Sequence, residues 1–523
     1  MSTIGYKIAW AAAAALGAAY CLVFLRFAPL LLQDYPNHLA RAVVVNDLLF
    51  HGGVRFGGTF QYGFVAMPYI LNDLLLASAI EPAGVKVAAG TWPVLIFLSL
   101  PCAVLFYTRV LKLRREGQIV AFLLSLYLAT NAFYFRGFLA FSLAVSTIVV
   151  VLAQARLRRE RPRPTPLLFA MYCTVLAAGY LIHLATLVFV TAAAAVCAAL
   201  HVWRRTTTLR TEIWLFLPIA ALLVWHFSVH GAVPAASSSI AYDWGTVVGK
   251  IQRFDWNFIR FNRRPDHAML WLCILCAASQ ARFLRSRRAL ASPNVIEMLT
   301  LALTFIGIYL VLPLNLANVA WVDVRALPMI ALFLILACLA PTNADSPSPR
   351  PLASALGILL ALLLAGGNLL HLTPRLYRFD EWLIEYRAVV AAVPKGAWVF
   401  TVYTNTRDRP IKSTLHAGAF TVIDREAPNP YLFSKDLGDP MQYFSYRRRP
   451  YAPDEDWYVR PQGASVDWPA IVRSYDFLLV MKPFDPARVP IATLPVFETA
   501  AAALFDIRQE KSAHAEGAPD KIE

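Results

Sequence analysis

Apolar residues fall along this chain in long unbroken runs separated by short polar intervals, a pattern that neither a helical stripe nor a strand alternation produces. The first run, residues 8–32, is almost all Ala, Leu, Val and Phe and is long enough to cross a bilayer. Further runs cover 87–111, 119–135, 137–155, 166–183, 185–202, 212–227, 268–279, 295–312, 325–339 and 354–372. Basic clusters at 112–115, 156–163, 204–205 and 282–288 punctuate them. Under the positive-inside rule these clusters mark cytoplasmic loops and give about eleven transmembrane helices, N-terminus inside and C-terminus outside. Residues 33–86 then form a long first external loop, with 67–80 as a helix lying at the interface. A span at 67–80 would carry the basic cluster 112–115 to the outside. A second external loop covers 230–266. The first run lacks a small-residue cleavage site and reads as a retained helix rather than a signal peptide.

Beyond residue 373 the pattern changes. Residues 379–393 have helical periodicity, whereas 398–403, 420–423, 477–481 and 504–507 read as short buried strands. The chain therefore divides into a polytopic α-helical membrane part, 1–373, and an extracytoplasmic α/β domain, 374–508. A polar tail, 509–523, has the composition of a disordered segment. No inverted repeat of the transporter kind is visible.

Composition agrees with this division. Hydrophobic residues make up 58% of the chain and charged ones 15%, which excludes a soluble globular protein of this length. The formal charge of +15 is scattered over short loops rather than gathered on one face, which argues against a nucleic-acid partner. All seven cysteines lie in apolar runs; Cys273 and Cys276 have redox or zinc spacing but no second pair, and read as packing residues.

Candidate chemistry gathers at the outer ends of the spans. Directly after the first run stands Gln33-Asp34-Tyr35-Pro36-Asn37-His38-Leu39-Ala40-Arg41. Ionisable groups at that depth are costly and tend to mark a site or a path. The plainer use is charges that end a span, with Asp34 as a helix cap. With Pro36 in a first helical turn, His38 and Arg41 share one face. The same side carries Asn72 and Asp73, Asn131 and Arg136 on a tight turn, His183, Asp243, Lys250, Arg253, Asp255, Asp323 and Arg325. For His183 the alternative is packing, and for Arg325 it is outward snorkelling. The aromatics of 131–141 form either an interfacial belt or a lipid-chain groove.

A first span followed by an external aspartate, a long first loop with interfacial helices, about eleven spans and an outer C-terminal domain together resemble the GT-C glycosyltransferases. Those are membrane enzymes that use polyprenyl-phosphate-linked sugars. Asp34 stands where the family has its first-loop acid; members often carry two adjacent acids, whereas Tyr35 follows here. Gly137-Phe138-Leu139-Ala140-Phe141 is similar to a turn in bacterial members of unassigned specificity. The resemblance implies transfer of a sugar from a polyprenyl-phosphate donor to a cell-envelope glycan, lipid or protein acceptor, at the outer face of the inner (plasma) membrane. Asp34 would then act as base, with His38 beside it. Arg41, Arg136 and Arg325 would hold the donor phosphate, and Asp73, Asn131, His183 and Asp323 would contact substrate. A divalent cation is left open and no other cofactor is implied. Two alternatives use the same polar cluster: a transporter or flippase for a lipid-linked or small polar substrate, and a non-catalytic membrane subunit of an envelope-polysaccharide assembly. The outer domain is expected to position the acceptor, with Tyr431, Tyr443, Tyr446 and Trp457 suited to stacking on sugar rings, and to leave the chemistry to the membrane part.

Overall fold

The computed structural model describes residues 3–63, 66–160, 165–230, 242–281, 292–316, 321–340, 351–404, 411–433, 444–453, 455, 457–458, 466–491 and 493–509. In hydrocarbon the backbone has no hydrogen-bond partner but itself, so the apolar runs become helices. In chain order these are α1 (Thr3–Arg26), α2 (Tyr35–Phe50), α3 (Ile70–Val110), α4 (Arg115–Ala129), α5 (Ala132–Phe135), α6 (Leu139–Glu160), α7 (Pro166–Ile182) and α8 (Leu184–Trp203). They continue as α9 (Leu209–His230), α10 (Val247–Gln252), α11 (Arg263–Gln280), α12 (Pro293–Val311), α13 (Leu327–Leu339), α14 (Pro351–Ala391), α15 (Phe420–Arg425) and α16 (Trp468–Ser474). Among the described residues, eight helices are long and apolar enough to cross a membrane: α1, α3, α4, α6, α8, α9, α12 and α14. The remaining predicted spans are also helical but weaker: α7 has 17 residues, α13 has 13, and α11 opens on Arg263, Arg264 and Asp266.

The interfacial helix and the second predicted span are fused in α3. Gly84, at φ 76° and ψ 159°, breaks the helical geometry between them, in a region open in practice to glycine alone. Helix α2 starts where Pro36 predicts, with proline in its first turn, and is buried along most of its length.

The last apolar run does not end its helix at residue 372. Helix α14 runs for 41 residues through Pro374, so the division at 373 falls inside one continuous helix. The eight strands, in chain order, are β1 (Phe60–Tyr62), β2 (Tyr242–Asp243), β3 (Asn315–Leu316), β4 (Val399–Val402), β5 (Phe444–Tyr446), β6 (Phe477–Met481), β7 (Phe497–Glu498) and β8 (Ala502–Asp506). The C-terminal sheet has the order β4-β6-β8-β7, parallel between β4 and β6 and antiparallel elsewhere. Alternate side chains face opposite layers. Val399, Phe477, Leu479 and Met481 pack on Leu383, Tyr386 and Val390 of α14, while Phe400, Val402, Leu478 and Val480 pack on Ile471 of α16 and on Tyr475.

Residues 420–423, predicted as a strand, are helical instead. A 3-10 turn over Ala417–Ala419 feeds α15, which ends at Glu426 in the left-handed region. Gly418 permits this path: a Cβ there would lie 2.7 Å from Thr401 Oγ1 and from Asn429 Nδ2, so the chain passes close over the Thr401 side chain of β4. Strand β1 of the first loop pairs with β5, with Phe60 opposite Tyr446. A two-stranded ribbon thus fastens the C-terminal part, the expected outer domain, to the segment between α2 and α3.

Candidate functional site

Asp34 sits at the N-terminus of α2, 7% exposed, and its carboxylate does not cap the helix. The backbone here is pinned by the tight turn: Gln33 N donates to Phe135 O at 3.1 Å and Asp34 N to Arg136 O at 3.0 Å. Gly137, at φ 78°, closes that contact, since a Cβ there would lie 2.6 Å from the backbone nitrogens of Asp34 and Tyr35. The turn predicted from its glycine and aromatics is therefore the floor under Asp34.

Two cations from the predicted set lie within the electrostatic reach of this carboxylate, Arg136 and Arg325. Arg136 is 4% exposed, with its guanidinium 4.3 Å from the centre of the Trp321 ring. Among the described residues its Nε has no hydrogen-bond partner. Burial pulls its pKa down to about 10, against the opposing pull of Asp34. Arg325, in a 3-10 turn ahead of α13, lies over Phe138 and Phe141, bonds Tyr69, and is likewise lowered by burial.

His183 joins this group. Its Nε2 is 2.9 Å from Arg325 Nη1, and its Nδ1 accepts the Ala185 N–H at 3.0 Å at the start of α8. Burial, seconded by Arg325, pushes its pKa well below the ordinary value, so the ring is neutral. With Nδ1 accepting, the proton of the neutral ring belongs on Nε2. Arg325 and the Nε2 edge of His183 then lie side by side, where one acceptor could reach both.

The other predicted residues are placed elsewhere or are occupied. His38 and Arg41 do share a face, but it is turned to Asp73: Arg41 Nη2 is 2.5 Å from Asp73 Oδ2 and His38 Nδ1 is 3.8 Å from Oδ1. Arg41 and Asp73 are both 1% exposed, so this cation is neutralised by its own partner. Asn131 caps α5, accepting from Phe133 N and Tyr134 N. Asp323 belongs to a separate buried cluster with Lys250 at 3.7 Å and Arg253 at 3.8 Å, which pins α10 against the end of α12. Tyr431 and Tyr446 are buried, and Tyr446 Oη ties Leu432 N to Asn429 O. Tyr443 lies outside the described residues. Among the described residues no group of three or more metal-ligating side chains is assembled.

Sequence reasoning missed the partners of Asp34 that come from the outer domain. His416 Nε2 is 3.4 Å from Asp34 Oδ1, and His416 Nδ1 is 2.6 Å from Glu455 Oε2. Gln33 Nε2 also donates to Asp34 Oδ1, at 3.2 Å, while Lys412 N donates to Gln33 Oε1 at 3.1 Å. Asn37 on α2 extends the seam, donating to Tyr431 O at 2.7 Å and accepting from Phe433 N at 2.8 Å. No local signal marks His416; only the tertiary fold brings it to residue 34.

No protein-family model matches the sequence, and neither does any curated protein. Among solved structures the chain is similar to the crystal structure of ArnT from Cupriavidus metallidurans bound to undecaprenyl phosphate. The two share 12% identity at a TM-score of 0.50, and the alignment covers 96% of this chain and 98% of that one. Identity that low speaks for the fold and not for the chemistry. Coverage of nearly all of both chains extends that likeness from the spans to the C-terminal sheet, and this chain has the fold of that structure.

Proposed function

We propose that this protein is a glycosyltransferase of the inner membrane, moving a sugar from a polyprenyl-phosphate donor to an envelope glycan, lipid or protein at the outer face. The observation that carries this reading is the placement of an uncapped, buried Asp34 carboxylate within electrostatic reach of two guanidiniums, the buried Arg136 and the partly buried Arg325. A sugar on a lipid phosphate presents its anomeric carbon just above the membrane surface. Displacement there requires a base for the acceptor hydroxyl and cations for the departing phosphate. Asp34 supplies the first. Arg136, Arg325 and the Nε2–H of His183 supply charge-assisted and neutral donors for the second. The structure of ArnT, which shares the fold, was determined with undecaprenyl phosphate bound, a ligand of this donor class.

Loss of the base is the direct test. Asp34→Asn should lower transfer from a polyprenyl-phosphate-linked sugar by about 10²–10⁴-fold while the protein still inserts and folds. Turnover near wild type in that variant would leave Asp34 a structural residue and remove the proposed chemistry.

A further inference from the structure

The carboxylate of Asp34 is drawn away from the helix end that it could have capped. Its contacts to Gln33 and His416 both use Oδ1, and both trace to one outer-domain segment, since Lys412 N fixes Gln33 and His416 makes the other contact itself. His416 is in turn fixed on its remaining sides. Its backbone lies in the left-handed region at φ 64°, which histidine tolerates better than most residues. Its ring meets the Phe433 ring edge-on at 4.9 Å, and Glu455 lies against Nδ1.

We propose that His416, held by Glu455, is a positioning residue that orients Asp34 and leaves Oδ2 to face the acceptor. This rests on the reading of Asp34 as base given under Proposed function. In the step itself the acceptor hydroxyl gives its proton to Asp34 as its oxygen bonds to the anomeric carbon. The bond from that carbon to the phosphate oxygen breaks, and the electron pair leaves with the phosphate. His416 exchanges no proton. It stays an imidazolium between two carboxylates, which raise its pKa to about 10 against the opposing effect of burial. The charged groups facing it are Asp34 from the start of α2 and Glu455 from the loop after β5. Behind Asp34 stand Arg136 and Arg325; Arg449 shares the surroundings of Glu455 at Tyr431. The outer domain thus takes part in the chemistry through the base, beyond holding the acceptor.

Two measurements on the full chain in lipid nanodiscs test this. The first follows the ring of His416 by NMR in histidine-labelled protein, the signal being identified by its loss in His416→Gln. Asp34→Asn and Glu455→Gln should each move its titration midpoint down by about one unit or more. An unmoved midpoint in Asp34→Asn would mean that the two groups do not interact, and the proposal would end there whatever the activity. The second follows transfer against pH. Glu455→Gln should introduce an alkaline fall in kcat of about tenfold, with KM for the lipid-linked donor unchanged. A tie that only docks the outer domain would lower kcat in step with faster proteolytic release of that domain as pH rises, and that result, or a profile matching wild type, overturns the positioning role. If the titration shifts as expected but wild-type protein transfers no sugar from any polyprenyl-phosphate donor, the reaction itself is wrong and His416 is left as a tie between domains.

Discussion

Two enclosed histidines of the site, one reached through Arg325 and one touching Asp34, differ in charge state. On the membrane side His183 is kept neutral, its pKa pushed well below the usual range by burial and by Arg325. On the outer-domain side His416 is equally enclosed, yet two carboxylates hold it as a cation up to about 10. Burial disfavours the charged form in both; the sign of the nearest neighbour decides the outcome. The comparison shows what each side can bind. The membrane side gathers donors that outnumber the one carboxylate named within their reach, Asp34, which suits an arriving anion. The outer side is already charge-compensated, which suits holding a group in place.

The largest effect should come from emptying the cationic side. Arg136→Gln combined with Arg325→Gln should weaken binding of polyprenyl phosphate by about 100-fold or more, since hydrogen bonds to charged groups contribute about 1.5–3 kcal/mol each. Equilibrium binding of labelled lipid phosphate measures this, and wild-type affinity in the double variant would move the donor site elsewhere. A smaller effect is expected at the floor between the two sides. Gly137→Ala places a methyl 2.6 Å from the backbone of Asp34 at a φ that favours glycine, and should lower stability by about 2 kcal/mol while disturbing transfer. Thermal unfolding in nanodiscs at the wild-type midpoint would show that the turn can shift without cost. The smallest and most graded effect concerns pH. The folded pKa of His416, about 10, lies above its free value of 6.5. Its contribution to the docking of the outer domain is therefore complete below about pH 6.5 and fades as pH rises through about 10. Proteolytic release of the outer domain should quicken over that window, and a rate indifferent to pH would contradict the clamp.

The spans were legible because a bilayer demands long apolar segments, and every predicted run is helical. The tight turn at Gly137 and the shared face of His38 and Arg41 were legible because both depend on residues close in sequence. Residues 420–423 misled because Phe-Thr-Val-Ile suits a strand and a single helical turn alike; Gly418, close over Thr401, permits the helical path. The partner of Arg41 was hidden for a similar reason, since Asp73 lies on another helix and only packing reveals the pair. His416 was the least legible of all, a single histidine in an outer segment whose meaning depends on α2.

The seam between α2 and the outer domain has a consequence for timing. Asn37 and Tyr431, which it joins, are 394 residues apart in the chain. At about 5–20 residues per second, Asp34 leaves the ribosome on the order of 20–80 seconds before the segment that meets it. For that interval the nascent protein is a helical bundle whose acid has no partner from the outer domain. An interrupted chain lacking its last fifth would sit in the membrane with an unoriented acid. Emergence of the His416 segment is then the event that gives Asp34 its outer-domain contacts.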